Sequence, residues 1–425
     1  MTILTKMQEQ WKLTAGEMRR YLKPVTLIVC GLLLFFFGIL LNISVEKFGR
    51  DMSGATYELQ KSLYERFGTT LDADERAQIV SDADALNREY NALIEQYLGE
   101  YDIHSEDDYD LLVMTAQDTE EERYDEAADR WGAENLTSLS ETCWAILADK
   151  EPLNHLNYQR RAMASVIQYF KAYDRLQEEY RTTGTVKMEL DGSGAEANEK
   201  TLAPLLADLK RDKVSLLSVN SHWLFFRDCM RDEWGLLIFM LCAFVTVPLL
   251  IGNRLEGVQP MQLTSREGRR VLPRQLGAAV GCAVLVNLAA DLVFYLVFFH
   301  GQYDTGFLLD CPVNAGALGE RFVFDLTYRQ FVELSFAVLL AVSLLLTCAV
   351  FVMSYFCKNY IVAAAVSIPL VIVCNGWYGE LTKYGYPFHY RAMPFAVLTL
   401  LPAAAVVAAV CVFIWKTRRE DYLYG

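Results

Sequence analysis

Residues 235–252 read GLLIFMLCAFVTVPLLIG, residues 253–275 read NRLEGVQPMQLTSREGRRVLPRQ, and residues 276–299 read LGAAVGCAVLVNLAADLVFYLVFF. Two apolar runs flank a short basic link. At about 1.5 Å of rise per residue, each run is long enough as a helix to cross roughly 30 Å of hydrocarbon. Asp291 is the one formal charge in either run. A helix buried in a soluble core rarely needs so long an uncharged stretch, so the pair reads as two membrane spans with a link between them.

Four further runs extend the pattern, at 25–45, 331–356, 360–378 and 393–415, and Glu333 near one edge is the only charge they contain. The expected fold class is therefore an all-α polytopic membrane protein with six transmembrane helices. Residues 46–234, between the first two spans, are expected to form a mainly helical extracellular domain, large enough to bury its own core. The expected division is a cytoplasmic interfacial helix at 1–24, a first span at 25–45, the acidic domain at 46–234, five spans at 235–415 and a tail at 416–425.

Charge orients this plan. Residues 46–234 hold 40 acidic and 21 basic side chains, and the remainder holds 13 acidic and 18 basic. The net −14 of the whole chain thus hides an acidic block beside basic spans, a pattern that does not suit nucleic-acid binding. Lys and Arg near span ends stay in the cytoplasm. The basic segments are the leader (Lys6, Lys12, Arg19, Arg20, Lys23), the link 253–275, the turn at Lys358 and the tail (Lys416, Arg418, Arg419). These four share a side if six spans alternate. Both termini are then cytoplasmic, and the expected location is the cell membrane.

The first span exceeds the apolar core of a secretory signal, and no small-x-small cleavage pattern follows it, so it reads as a retained anchor. Met7, Trp11, Met18 and Leu22 put an apolar face on the leader, as in a helix lying in the membrane interface. Within the domain, Asp72–Glu75 supply helix-starting carboxylates ahead of Ile79, Ala83, Leu86, Tyr90, Leu93 and Tyr97. A second long helix is expected from about Leu153 to Tyr180, a hairpin near Thr185–Leu190, and a helix from Leu202 through Trp223 toward the second span. Residues 105–130 read as solvated acidic surface. Cys143 and Cys229 are the candidates for a disulfide on the oxidising side.

The chain lacks G-x-x-x-x-G-K-[S/T], H-E-x-x-H and G-x-S-x-G, and its five histidines stand apart without ligand spacing. No ATPase site, metal site, cofactor or catalytic residue of its own is expected. In the link, Thr264-Ser-Arg-Glu267 fits a capping box, and Ser265–Gly268 fits a tight turn. Either would present Arg266, Arg269 and Arg270 from a short, stiff element.

A leader helix, a first span, a large insertion, five further spans and an E-G…T-S-x-x-G-R-R link together resemble permease subunits of type-two ABC transporters. The sequence-specific part of the likeness covers Glu256–Arg270. The resemblance implies that Glu256, Gly257, Thr264, Ser265, Arg266, Gly268, Arg269 and Arg270 form a coupling helix docking on a separate ATPase subunit. It implies a second permease protomer, the same or different, and an exported lipid, peptide or other amphipathic substrate. The segment after the fifth span, Gly379–Arg391, is short for that family. Asp291, with Asn287 one turn earlier, is open to two readings, a polar lining of the translocation path or dimer seam and a bonded structural residue. The rival to the transporter is a membrane-anchored receptor or immunity-type protein whose extracellular domain binds a peptide or envelope component.

Overall fold

The computed structural model describes residues 12, 14–19, 22–51, 54–118, 123–148, 150–190, 195–196, 199–215, 220–255, 271–301, 305–314, 321–322, 325–383 and 401–420. These residues are mostly helical. Helix α1 (Pro24–Asp51) is followed by α2 (Gly54–Phe67), which ends at Gly68 with φ of 83°. A short strand β1 (Thr70–Leu71) leads to α3 (Ala73–Leu98). Asp72 and Glu75 close a reciprocal capping box at the start of α3, each accepting a bond from the other's backbone N–H at 2.9 Å. The acidic stretch then folds as α4 (Glu106–Gln117), α5 (Tyr124–Trp131) and α6 (Leu136–Ala148), before α7 (Glu151–Thr183).

The structure departs from the sequence reading at three points. Residues 105–130 are not merely solvated surface, because Leu111, Leu112 and Ala127 are buried in a core. The helix expected to run on from Leu202 stops as α8 (Ala203–Arg211). Asp212 takes a left-handed conformation there, with φ of 53°, and its N–H caps the last carbonyls. The following residues form β4 (Val214–Ser215), which pairs antiparallel with β1 in the register Thr70↔Ser215 and Leu71↔Val214. That ladder ties the two ends of the inserted domain together. The hairpin expected near Thr185–Leu190 lies further along the chain, as β2 (Glu189–Leu190) paired with β3 (Ala195–Glu196).

Helix α9 (Asn220–Cys229) continues through a π-helical turn, Met230–Gly235, into α10 (Leu236–Leu255). The remaining apolar helices are α11 (Val271–His300), α12 (Tyr328–Phe356), α13 (Tyr360–Lys383) and α14 (Leu401–Glu420). Among the described residues, four helical segments are long and apolar enough to cross a membrane: Pro24–Lys47, Val271–His300, Tyr328–Phe356 and Tyr360–Thr382. Helix α10, 20 residues long, and the apolar stretch Pro402–Trp415 of α14 stand where the second and sixth runs were read.

Among the described residues, the two largest of four buried apolar clusters organise the fold. The larger is continuous from the apolar bundle into the base of the inserted domain, uniting Leu339 and Phe294 with Trp223, Tyr173 and Leu205. At its centre, Phe226 meets Phe294, Phe298 and Phe331 with ring centroids 5.4, 5.5 and 5.8 Å apart. Trp223 meets Phe331 at 5.6 Å. Each such edge-to-face pair adds about 0.5–1.5 kcal/mol beyond the area it buries. A separate, smaller core gathers Tyr90, Ile94, Leu112, Leu136, Cys143 and Leu156 at the far end of the insertion.

The bundle helices alternate in direction. Near the inserted domain, Asn42 of α1 approaches Gly301 just past α11, and Phe239 of α10 faces Tyr378 of α13 at 6.2 Å. Tyr328, which opens α12, packs on Phe299 of α11 at 5.6 Å. At the opposite end, Gly252 of α10 lies against Tyr360 of α13, and Tyr355 of α12 stacks edge-on to Phe413 of α14 at 4.8 Å. The starts of α1, α11 and α13 and the ends of α10, α12 and α14 therefore share the end remote from the inserted domain.

Candidate functional site

The residues expected to dock an ATPase, Glu256, Gly257, Thr264, Ser265, Arg266, Gly268, Arg269 and Arg270, lie outside the described residues. Their frame is described. Helix α10 runs to Leu255 and α11 begins at Val271, so the link is shorter than 253–275 and Arg274 belongs to a helix. Pro273 falls in the first turn of α11, where a missing N–H leaves no intrahelical bond unmade. The leader packs beside this turn. Met18 sits where a Cβ on Gly281 would be, 2.8 Å from Sδ, and Thr14 lies over Gly277 at 3.5 Å. The spacing Gly277-x-x-x-Gly281 gives the close approach that small residues permit between membrane helices. Met18 and Leu22 thus contact protein, not only lipid as an interfacial helix would.

Both helices flanking the link are braced higher in the bundle. Asn287 of α11 is fully buried. Its Nδ2 donates to the Ala283 carbonyl at 2.8 Å and approaches Cys242 Sγ of α10 at 3.6 Å. The Ser343 hydroxyl of α12 donates to Asn287 Oδ1 at 3.0 Å and also lies 2.8 Å from the Leu339 carbonyl. One amide therefore ties three helices within a single chain. Asp291, one turn on, is partly buried, and its Oδ1 is enclosed with no hydrogen-bond partner among the described residues.

A groove opens between α10 and α13. The helices touch at both ends, where Gly252 meets the Tyr360 hydroxyl and Gly235 meets Asn375 Oδ1. Between these contacts lie Pro248 and Pro369, one in each helix, and a cavity of about 540 Å³. Met240, Phe244 and Pro248 line one wall, and Ala364, Ile368 and Ile372 the other. The Ser367 hydroxyl is turned back onto the Ala363 carbonyl at 2.7 Å, so it offers the groove no free donor. Phe244 is 46% and Ile372 61% exposed, which leaves the groove open at its side. Such a lining accommodates hydrocarbon and supports no acid–base chemistry. Asn287 and Asp291 are not among the residues that line it.

The segment between α11 and α12 gave no signal in the sequence, yet it clamps the inserted domain to the bundle. Pro312 bridges to Thr327, and Asn314 Oδ1 and Nδ2 bond the Phe322 backbone at 2.7 Å each. Arg321 is buried, donating to the Asn314 carbonyl and standing 3.0 Å from Met188 Sδ. Burial brings its guanidinium down to about 10. His222, boxed by Phe298, Phe299 and Tyr328, shares a 2.9 Å hydrogen bond with the Tyr328 hydroxyl. Burial holds its imidazole at about 3, so it is neutral through the physiological range.

The Cys143–Cys229 bridge is not formed. Each is a free thiol, Cys143 in the far core and Cys229 in the main one, and burial pushes the Cys143 thiol up to about 11. No cluster of His, Cys, Asp or Glu suited to a metal ion occurs among the described residues. Compared with known proteins, the chain matches no family model, no curated protein and no solved structure.

Proposed function

We propose that this chain is the transmembrane permease subunit of an ATP-driven exporter, similar to type-two ABC transporter permeases, with ATP hydrolysed on a separate subunit. The observation that carries the reading is the mounting of the 256–270 link. It joins α10 to α11, and those two helices are cross-braced to α12 through Asn287. A stiff element in that position, pushed by a partner, moves the bundle; a floppy loop on loosely packed helices would not.

Two further features support it. Lys23, the helix ends at Leu255 and Val271 that flank the link, the Lys358 turn and Arg418–Arg419 all belong to the end of the bundle remote from the inserted domain. The positive-inside rule assigns that end to the cytoplasm. With α10 and α14 counted, six spans alternate, both termini are cytoplasmic and residues 46–234 are extracellular. The groove between α10 and α13 suits an amphipathic cargo or the apolar surface of a second permease protomer, with lipid on the remaining outward faces.

Replacing Arg269 and Arg270 with Glu should abolish co-purification of the ATPase while leaving abundance and membrane insertion intact. An ATPase that stays bound to the doubly reversed protein contradicts the docking assignment. The receptor reading keeps one observation in its favour, an exposed helix face in the inserted domain. It would gain if the wild-type protein, purified from its native membrane, brought no ATPase with it.

A further inference from the structure

Helix α6 turns Leu136, Cys143 and Leu147 into the far core. Its opposite side, a stripe of Thr137, Glu141, Trp144, Ala145 and Ala148 at helical spacing, is exposed. Trp144 is 65% exposed, although a side chain of that size is usually well buried. The nearby hydroxyls do not make the face polar. Ser138 donates to the Asn135 carbonyl at 3.0 Å and Thr142 to the Ser138 carbonyl at 2.8 Å. What this side of α6 displays is an indole, two alanine methyls, the Thr137 hydroxyl and a single carboxylate.

The surroundings are the reverse. Residues 100–151 contain 17 acidic side chains and three basic ones, Arg123, Arg130 and Lys150, a net of −14 that equals the charge of the whole chain. All three cations are engaged locally, Arg123 with Glu126 at 2.8 Å, Arg130 with Asp102 at 2.7 Å and Lys150 over the Tyr97 ring at 5.6 Å. Asp107, Asp110, Asp125, Asp129 and Glu134 are exposed and enter no ion pair among the described residues. An exposed indole on a segment that carries so much uncompensated charge is the composition of an interaction surface.

We propose that the exposed face of α6 docks a cationic amphipathic peptide, its apolar side against Trp144 and its Lys or Arg side chains drawn to the exposed carboxylates of the 100–151 segment. Charge selects this occupant over the alternatives. A second copy of the chain would bring the same −14 segment against itself, and an anionic lipid surface would be repelled likewise. Long-range attraction supplies the on-rate and the salt sensitivity, and an exposed Trp supplies the anchor. The proposal rests on the inserted domain alone, so it holds for a permease, where it names the cargo class, and equally for a receptor.

The test uses the full chain in nanodiscs of zwitterionic lipid, with empty nanodiscs as the reference. The probes are a fluorescent Lys/Leu amphipathic peptide of about 18 residues and its Glu/Leu counterpart of the same pattern. The Lys/Leu peptide should bind above the empty-disc level, and added salt should weaken it. Trp144→Ala should weaken it about tenfold or more, as should joint replacement of Asp107, Asp110, Asp125 and Asp129 with Asn. The Glu/Leu peptide should not bind. Because Trp144 lies on the surface, an unchanged melting curve for Trp144→Ala checks that the fold is intact. ATPase co-purification plays no part in this readout, so its failure leaves the result standing. Binding that ignores Trp144→Ala, equal binding of the Glu/Leu peptide, or no binding above empty discs would each overturn the proposal.

Discussion

Single polar residues in this protein differ mainly in how well their neighbours manage without them. Asn287 ties α10, α11 and α12, yet the Ser343 hydroxyl also has the Leu339 carbonyl at 2.8 Å and would not be orphaned by its loss. Asn287→Ala is therefore expected to cost only about 0.6–1.7 kcal/mol, the range measured for hydrogen bonds between membrane helices. Denaturation in detergent micelles checks this, and a loss of several kcal/mol would mean a larger network than the one described. Asp208 is the contrasting case. It accepts a bond from the Ser215 hydroxyl, but burial dominates and holds its carboxyl above the ordinary value of 3.8. A folded-state pKa above the unfolded one means that ionising Asp208 costs the fold stability. The cost is absent below 3.8 and appears as pH rises through that value and the raised one. Asp208→Asn should thus raise the melting temperature near neutral pH and give no gain near about pH 3.5, where the native carboxyl is already neutral. A gain of equal size at both pH values would contradict the assignment.

At the scale of elements, close helix contacts are made by glycines whose purpose was not legible in isolation. The repeat Gly277-x-x-x-Gly281 sits in plain view, but nothing in the sequence says that Thr14 and Met18 cover it. Gly281→Leu should drive the leader off α11, because a Cβ alone would come within 2.8 Å of Met18 Sδ. A cysteine placed at Thr14 should then react with a thiol reagent that it resists in the parent protein, with Gly281→Ala intermediate, since the Met18 side chain can give way. Unchanged labelling in Gly281→Leu would show that the leader is held elsewhere. Elements with strong periodicity or explicit caps were readable beforehand. Helix α3 begins at the Asp72–Glu75 box, and α7 covers the stretch read from Leu153 to Tyr180. The stop at Asp212, the β1–β4 ladder and the clamp around Arg321 were not readable, because each depends on a partner more than a hundred residues away or on a left-handed backbone that Asp marks only weakly.

The whole molecule joins a helical insertion to an apolar bundle through a shared aromatic core. Phe226 and Trp223 of the insertion pack directly on Phe294, Phe298 and Phe331 of the bundle. The insertion and the bundle therefore share one packed core. The membrane class and the acidic insertion were legible from apolar run length and charge partition. The basic link read as a docking element lies outside the described residues, and the groove between α10 and α13 arises from how two proline-bearing helices pack, which no single stretch encodes. The exporter reading depends on one partition, with the basic helix ends on one membrane face and the insertion on the other. Reporter domains fused after Tyr101 and after Gln262 measure it directly. Opposite compartments, with the Tyr101 fusion outside, are the predicted result; the same compartment for both would contradict the account.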